Sequence, residues 1–375
     1  MKTKTFNTIR DIPREQWKQV LKEHHSCTYS YEFWEVMEQS KLNDFCYSYI
    51  LFYDDDDNPV ALTSFYTITT DIAIFAPKKL RFILQHIRRA FPNFLKIRML
   101  ECGTPITLNQ PFVVSNEIEN SAVLKTLSET LLCTAKDQGH FLIVLRDFEP
   151  DTDSLQPFFK KQGFHFVDSL PTTYMDIVWI SSDEYLSSMK SYYRSKLLKH
   201  LHINQEQGVR HELRENFDDL AEILCSQWRV VHSHAAEYQR EILTPAFYRE
   251  FALKLGLRSK VLLFYRNNEL VGHALLLMDR DLLRWLYFGR KEARNDSLYI
   301  YVAHKVVETA IILGAKRLEL GLTTYPIKKD LGAYMSPIKL ALRSPSRLIN
   351  PFISIVYPLL NHTPEMHNKS IFKAR

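Results

Sequence analysis

The stretch from Leu282 to Gly332 constrains the fold more than any other part of the chain. LLRWLYFGR reads as a strand, LYIYVAHKVVETAIILGA as a helix, and KRLELGL as a second strand, followed by the glycine-flanked loop TTYPIKKDLG with its lysine pair. Strand, helix and strand in that order build a parallel or mixed sheet, and such sheets admit ligands between the ends of their strands. The order favours an enzyme over a scaffold.

With 375 residues the chain is too long for one ordinary core, so two domains are expected. Apolar residues make up 46% and charged residues 24%, which is the balance of a folded globular protein. The 48 Lys and Arg against 43 Asp and Glu leave a net charge of +5. That excess suits an anionic ligand such as a phosphorylated cofactor but falls short of a DNA binder's basic stripe, so no DNA partner is expected.

Cys27, Cys46, Cys102, Cys133 and Cys225 are odd in number and lack CxxC spacing, which reads as reduced thiols in a reducing, cytoplasmic compartment. MKTKTFNTIRDIPREQW has charges but no apolar core, so neither a signal peptide nor a membrane span is expected there. LINPFISIVYPLL is apolar but short and broken by Pro351 and Pro358. It reads as a packed chain end rather than a span, with a shallow lipid contact as the alternative.

Before the opening stretch the chain alternates in the same manner. CYSYILFYDDDDNPVALTSFYTI reads as a hairpin whose aspartates form a solvated turn. LKIRMLECGTPI is a strand, NSAVLKTLSETLLCTAKDQG a helix ended by Gly139, and HFLIVLRDF a further strand. LQPFFKKQG is a short helix closed by Gly163. In the second half SSDEYLSSMKSYYRSKLLKHLHINQEQGV reads as a helix capped by Ser181 or Ser182, and KVLLFYRNNELVGHALLLM as a hairpin turning at Asn267 and Asn268. The recurring strand, helix and strand suggests a pseudo-repeat, divided at 1–178 and 179–345, with 346–375 as an extension.

This order of elements is similar to the GNAT acyltransferase fold, and residues 181–343 resemble its BioF2-like and FemAB-like branch. The matching pieces are EYLSSMKSYYRSKLLKHL with Gly208 and Val209, the helix around Gln227 to Arg229, NNELVGHALLL with Gly272, and LELGLTTYPIKKDLGA with Gly321, Lys328 and Gly332. The resemblance implies an α/β (α+β) fold of two tandem GNAT-like domains, each a mixed central sheet flanked by helices. It also implies N-acyl transfer from an activated donor to a small-molecule or peptide amine. One departure bears on the donor: the turn GRKEARNDS has no glycine after Gly289, although backbone approach to a pyrophosphate is easiest at glycine. Acyl-CoA as co-substrate, an acyl-carrier protein arm and an aminoacyl-tRNA therefore all stay open as donors, and a binding module without catalysis remains the alternative from another class.

Transfer of an acyl group needs a neutral amine, a polarised carbonyl and their alignment, and alignment alone supplies about 7 to 11 kcal/mol in well-oriented cases. Glu319, alternating against Leu318 and Leu320, is a candidate proton acceptor with its side chain opposite the buried face. Lys328 matches the family lysine and is expected to stabilise developing oxyanion or phosphate charge, while Tyr325 offers a hydrogen bond to the leaving group. Arg290 and Arg294 flank the start of a helix, and with Asn295 they are the candidate cofactor-binding residues.

Trp228, His232 and His234 are candidates for the acceptor pocket. The pairs His200 with His202 and His232 with His234 diverge on a helix and lack a completing ligand set, so no metal is expected. Arg194, Lys196 and Lys199 make a basic helical patch that reads as surface, or as a contact to cofactor or tRNA phosphate. No GxSxG, Walker or dinucleotide fingerprint supports a hydrolase, NTPase or dehydrogenase.

Overall fold

The computed structural model describes residues 1–373 apart from 23, 25, 72, 74–77, 116–119, 236–239, 295–296 and 361–362, with backbone alone at 78–80, 85, 120 and 359–360. The chain forms two compact units, neither of them one continuous segment. The first comprises Met1–Leu170 and Pro337–Pro364, the second Pro171–Ser336 and Glu365–Arg375.

The first part of the chain supplies strands Lys2–Phe6 (β1), Cys46–Tyr53 (β2), Pro59–Asp71 (β3), Lys96–Cys102 (β4), Phe112–Val114 (β5), Leu142–Phe148 (β6) and His165–Asp168 (β7). Thr172–Asp176 (β8), Arg210–Arg214 (β9), Ser259–Arg266 (β10), Glu269–Asp279 (β11), Leu282–Arg290 (β12), Arg317–Glu319 (β13) and Tyr334–Ser336 (β14) follow, then Lys339–Arg343 (β15). The first sheet runs β1-β2-β3-β4-β6-β15-β7 with β5 beside β3, and the second runs β14-β8-β13-β12-β11-β10-β9. In each sheet one neighbouring pair is parallel, β4 with β6 and β12 with β13. The pseudo-repeat is thus a repeat of topology.

The expected borders at 178 and 345 are displaced because two strands change sheets. β8 pairs with β13 and β14, so it belongs to the second unit, while β15 pairs with β6 and β7 of the first. A strand's partners are chosen by distant segments, and its own alternation is silent about them. The expected extension 346–375 divides as well: Ile371 and Phe372 pack in the second unit's core, and Lys190 N–H donates to Ile371 C=O at 2.8 Å.

Helical periodicity fills each core. From the helix Asn120–Asp137, residues Val123, Leu124, Leu127, Leu131 and Ala135 pack with Leu100, Ile143 and Leu145. From the helix Leu298–Ile312, Val302, Ala303, Val306, Val307 and Ala310 pack with Leu276, Leu283 and Leu318. Each fully buried Val or Leu contributes about 1.5 to 3 kcal/mol.

The hairpin turns fall where Asp and Asn place them, with Asp57 at φ 62° and Asn267 and Asn268 at φ 50° and 62°. Two local readings change. The segment from Ser182 is two helices, Ser182–Ser188 and Ser191–Glu206, because Met189 is extended and bridges to Phe372. TTYPIKKDLG contains the helix Tyr325–Asp330, which has Pro326 in its first turn and Gly332 at φ 104° beyond its end. Six residues are too few to show a helical period in sequence.

Candidate active site at the parting of two parallel strands

In the second sheet β12 and β13 run parallel for three registered pairs, from Leu282↔Arg317 to Arg284↔Glu319. Their pairing then ends. Gly321 turns the chain away at φ 71°, while Leu286 is the extra residue of a bulge in β12, which continues to Arg290 against β11. Parallel strands that part at their carboxyl ends are where open α/β sheets take ligands.

Lys328 sits in the helix that follows β13, and only 3% of it is exposed. Its Nζ donates hydrogen bonds to the carbonyls of Gly321 at 3.0 Å and Leu322 at 2.6 Å. Burial drives its pKa down to about 7, against the opposing pull of Glu319. A lysine in this position is half neutral near pH 7.

Glu319 is buried, which corrects the expectation that it faces away from the packed side of the sheet. β13 is an interior strand, and Leu318, Glu319 and Leu320 are all covered, so alternation here separates two buried faces. Glu319 forms a short ion pair with Arg284, whose other nitrogen stands 3.4 Å from Asp279. The guanidinium occupies one carboxylate oxygen, so Glu319 is held in a buried charge pair and not left open toward a substrate.

Tyr325 begins the same short helix, and its hydroxyl donates to the Pro171 carbonyl at 2.9 Å, tying the helix to the chain entering β8. The preceding Thr323 and Thr324 have φ of 62° and 52°, a left-handed conformation that β-branched residues rarely hold. Thr324 hydrogen-bonds Tyr299, a half-buried phenol of the helix Leu298–Ile312 whose pKa desolvation pushes up to about 12. The strained pair therefore links the Lys328 helix to the helix that follows β12.

At the far end of β12 a cavity of about 340 Å³ is lined by Arg266, Arg290, Lys291 and Arg294 together with Glu269 and Glu292. Lys291 pairs with Glu269, and Arg294 Nε lies 2.5 Å from Glu292. The helix that begins at Leu298 adds its positive end nearby in sequence, and Leu298 lines the same cavity. Asn295 lies outside the described residues.

Gly289 proves to be a packing residue. A Cβ there would stand 2.1 Å from His273 Cε1 and 2.9 Å from the Trp228 nitrogen, so the glycine lets β12 approach the helix Ala221–His234. His273 is fully buried between Gln227 Oε1 at 3.0 Å and Tyr248 Oη at 3.1 Å, and burial lowers its pKa to about 3. Sequence reasoning missed this triad and missed Arg284 with Asp279. Gly289 was the available signal for the first, and an arginine inside an apolar strand for the second.

Trp228 and His232 are brought together, their ring centroids 4.5 Å apart and their planes tilted by 33°, with Tyr287 edge-on to Trp228 and its hydroxyl donating to Glu241 at 2.8 Å. Burial lowers the His232 pKa. His234 is separated from them, exposed and bound to the Val230 carbonyl at 2.9 Å. Of the basic patch, Lys196 is engaged by Asp330 at 2.6 Å, and His200 Nδ1 lies 2.9 Å from Ser297 Oγ.

A mixed sheet with one parallel pair, formed twice in one chain, is the tandem GNAT architecture. The chain belongs to the FemAB-like family, described as peptidoglycan biosynthesis/recognition, whose profile matches residues 8–324.

The FemX crystal structure resembles it with a TM-score of 0.54 at 15% identity, over 90% of this chain and 97% of that one. A tandem GNAT protein from the clavulanic acid biosynthesis pathway gives 0.54 at 10% identity, over 92% and 99%. At such identities the likeness is one of fold. A Mycobacterium tuberculosis protein with the provisional name 8-amino-7-oxononanoate synthase 2 is 28% identical over 326 residues, covering 84% of this chain and 42% of that protein. The chain thus spans less than half the length of the curated relatives it matches.

Proposed function

We propose that the second unit transfers an acyl or aminoacyl group from an anionic activated donor to an amine, with Lys328 as the group that moves the proton. The buried Lys328 beside the end of β13 is the observation that carries this reading. As a neutral amine it keeps two N–H bonds to the Gly321 and Leu322 carbonyls and has a lone pair left. That lone pair accepts a proton from the attacking amine and can return it to the leaving thiol or hydroxyl. Glu319, held by Arg284, keeps the local field negative enough that the lysine can carry the proton between these steps.

The cavity at Arg266, Arg290 and Arg294 is the proposed seat of donor phosphates, gripped by guanidinium groups where a glycine turn is absent. Both CoA and the end of a tRNA carry such phosphates. Membership of a peptidoglycan biosynthesis/recognition family favours an aminoacyl-tRNA donor and a peptide acceptor, with acyl-CoA or an acyl-carrier protein arm as the second reading. Trp228 and His232 are the proposed acceptor wall.

The deciding experiment measures transfer from acetyl-CoA, a long-chain acyl-CoA and aminoacyl-tRNA by wild type, Lys328→Met and Lys328→Arg, with folding checked by circular dichroism. Because the proton must leave Lys328 before it can act, activity should climb with pH through about 7. Both variants should lose at least about tenfold in rate, the scale expected of a missing acid-base group. Full activity in Lys328→Arg, which stays charged, would remove the proton-transfer role.

A further inference from the structure

The helix Lys78–Ala90 of the first unit is turned with its apolar side outward. Leu84 is buried against Ala73 and Leu95, and Arg88 one turn later forks onto Asp71, with Nη2 at 2.5 Å. These two residues hold the helix to the end of β3. At 100° per residue Phe82 and His86 fall opposite Leu84, and Ile83 and Ile87 lie on the adjoining flank. Phe82 is 62% and Ile83 55% exposed, Ile87 is exposed beside them, and Phe91 just past the helix end is 66% exposed. Soluble helices place such residues inward, and their clustering in solvent marks a contact surface.

The charges around this face say what kind of contact. Residues 72–100 contain six Lys and Arg (Lys78, Lys79, Arg81, Arg89, Lys96 and Arg98) besides the Arg88 held by Asp71, and no Asp or Glu. The second segment of the same unit repeats the combination. Residues 337–364 hold Arg343, Arg347 and Lys339, the last paired with Asp153 at 3.5 Å, without a carboxylate of their own, and Leu348, Phe352, Ile355 and Val356 stand exposed on and before the helix Ile353–Leu360. The net charge of the whole chain is only +5, so two carboxylate-free stretches that also carry the exposed aromatics are a local arrangement and not a reflection of composition.

We infer that the first unit docks on an anionic lipid bilayer, laying Phe82, Ile83, Ile87 and Phe91 into the headgroup boundary while its cations meet lipid phosphates. An in-plane amphipathic helix flanked by lysine and arginine binds in this way, drawing on both buried apolar area and attraction to acidic lipid. Another protein copy would bring the same cations to its own face, so charge complementarity selects the bilayer over self-association. No helix among the described residues is long and apolar enough to cross a membrane. This inference stands apart from the proposed transfer reaction, since Phe82, Ile83 and Ile87 belong to the first unit and none is among the proposed reactive groups.

Flotation with vesicles of phosphatidylglycerol and phosphatidylcholine in equal parts, or of phosphatidylcholine alone, tests it with the full chain. Wild type should float with the acidic vesicles, far less with the neutral ones, and less as salt rises. The triple substitution Phe82→Ser, Ile83→Ser and Ile87→Ser should cut the bound fraction at least about tenfold, as expected for lost apolar insertion. Transferase activity on soluble substrates, measured in parallel, should not change. Failure to bind acidic vesicles, equal binding by the triple variant, or a sedimentation dimer that the triple variant abolishes without vesicle binding would each overturn the inference.

Discussion

Lys328 and Gly289 carry opposite lessons about what a residue type reveals. IKKD reads as a solvated loop, yet Lys328 is buried while its neighbour Lys329 is not. A lysine's burial depends on which carbonyls close over it, and here those of Gly321 and Leu322 come from a turn seven and six residues earlier. The motif resemblance singled out the lysine that is buried, but its altered proton affinity became visible only with the surrounding atoms. Gly289 entered the sequence reading only as the last glycine before the turn, because its demand comes from His273 on the neighbouring strand. Gly289→Ala should lower stability by about 3 kcal/mol, the upper range for overpacking a tight core, and denaturant unfolding would show it as a lower midpoint. An unchanged midpoint would mean that His273 can move aside.

Strands and helices with their own internal signal were readable: the hairpin at Asn267 and Asn268, the helix Leu298–Ile312 and the helix ended by Gly139 all fall where periodicity and turn chemistry put them. Elements that take their meaning from a partner were not. β13 alternates like a half-exposed strand, but its interior place in the sheet covers Glu319 and makes it one of two carboxylates around Arg284. That guanidinium joins β11, β12 and β13 by charge in addition to their ladder. Arg284→Ala would leave Asp279 and Glu319 buried without it, a loss of about 3 to 5 kcal/mol. Thermal unfolding should register the loss as a lower midpoint, and the loss should shrink when Asp279→Asn and Glu319→Gln are already present; an equal deficit in both backgrounds would refute the charge argument.

The whole molecule exchanges segments between its units at three points along the chain, and sequence order conceals all three. The final crossing brings Ile371 and Phe372 back to the second unit, where the Phe372 ring lies 2.4 Å from where a Gly332 Cβ would be. Removing residues 365–375 should therefore unfold or loosen the second unit while sparing the first, and hydrogen exchange would show faster amides around Met189 and Gly332. Uniform protection in the truncated chain would show that the tail is dispensable.

In both sheets the place next to one end is filled by a strand that arrives by way of the other half of the chain, β15 in the first and β8 in the second. On the ribosome the consequence is one of timing. β7 of the first sheet has β15 as its paired neighbour, and β15 emerges after nearly all of the second unit has been made. The earlier-synthesised half must wait with an unfinished edge while the later half is translated, so the two halves reach their final sheets almost together.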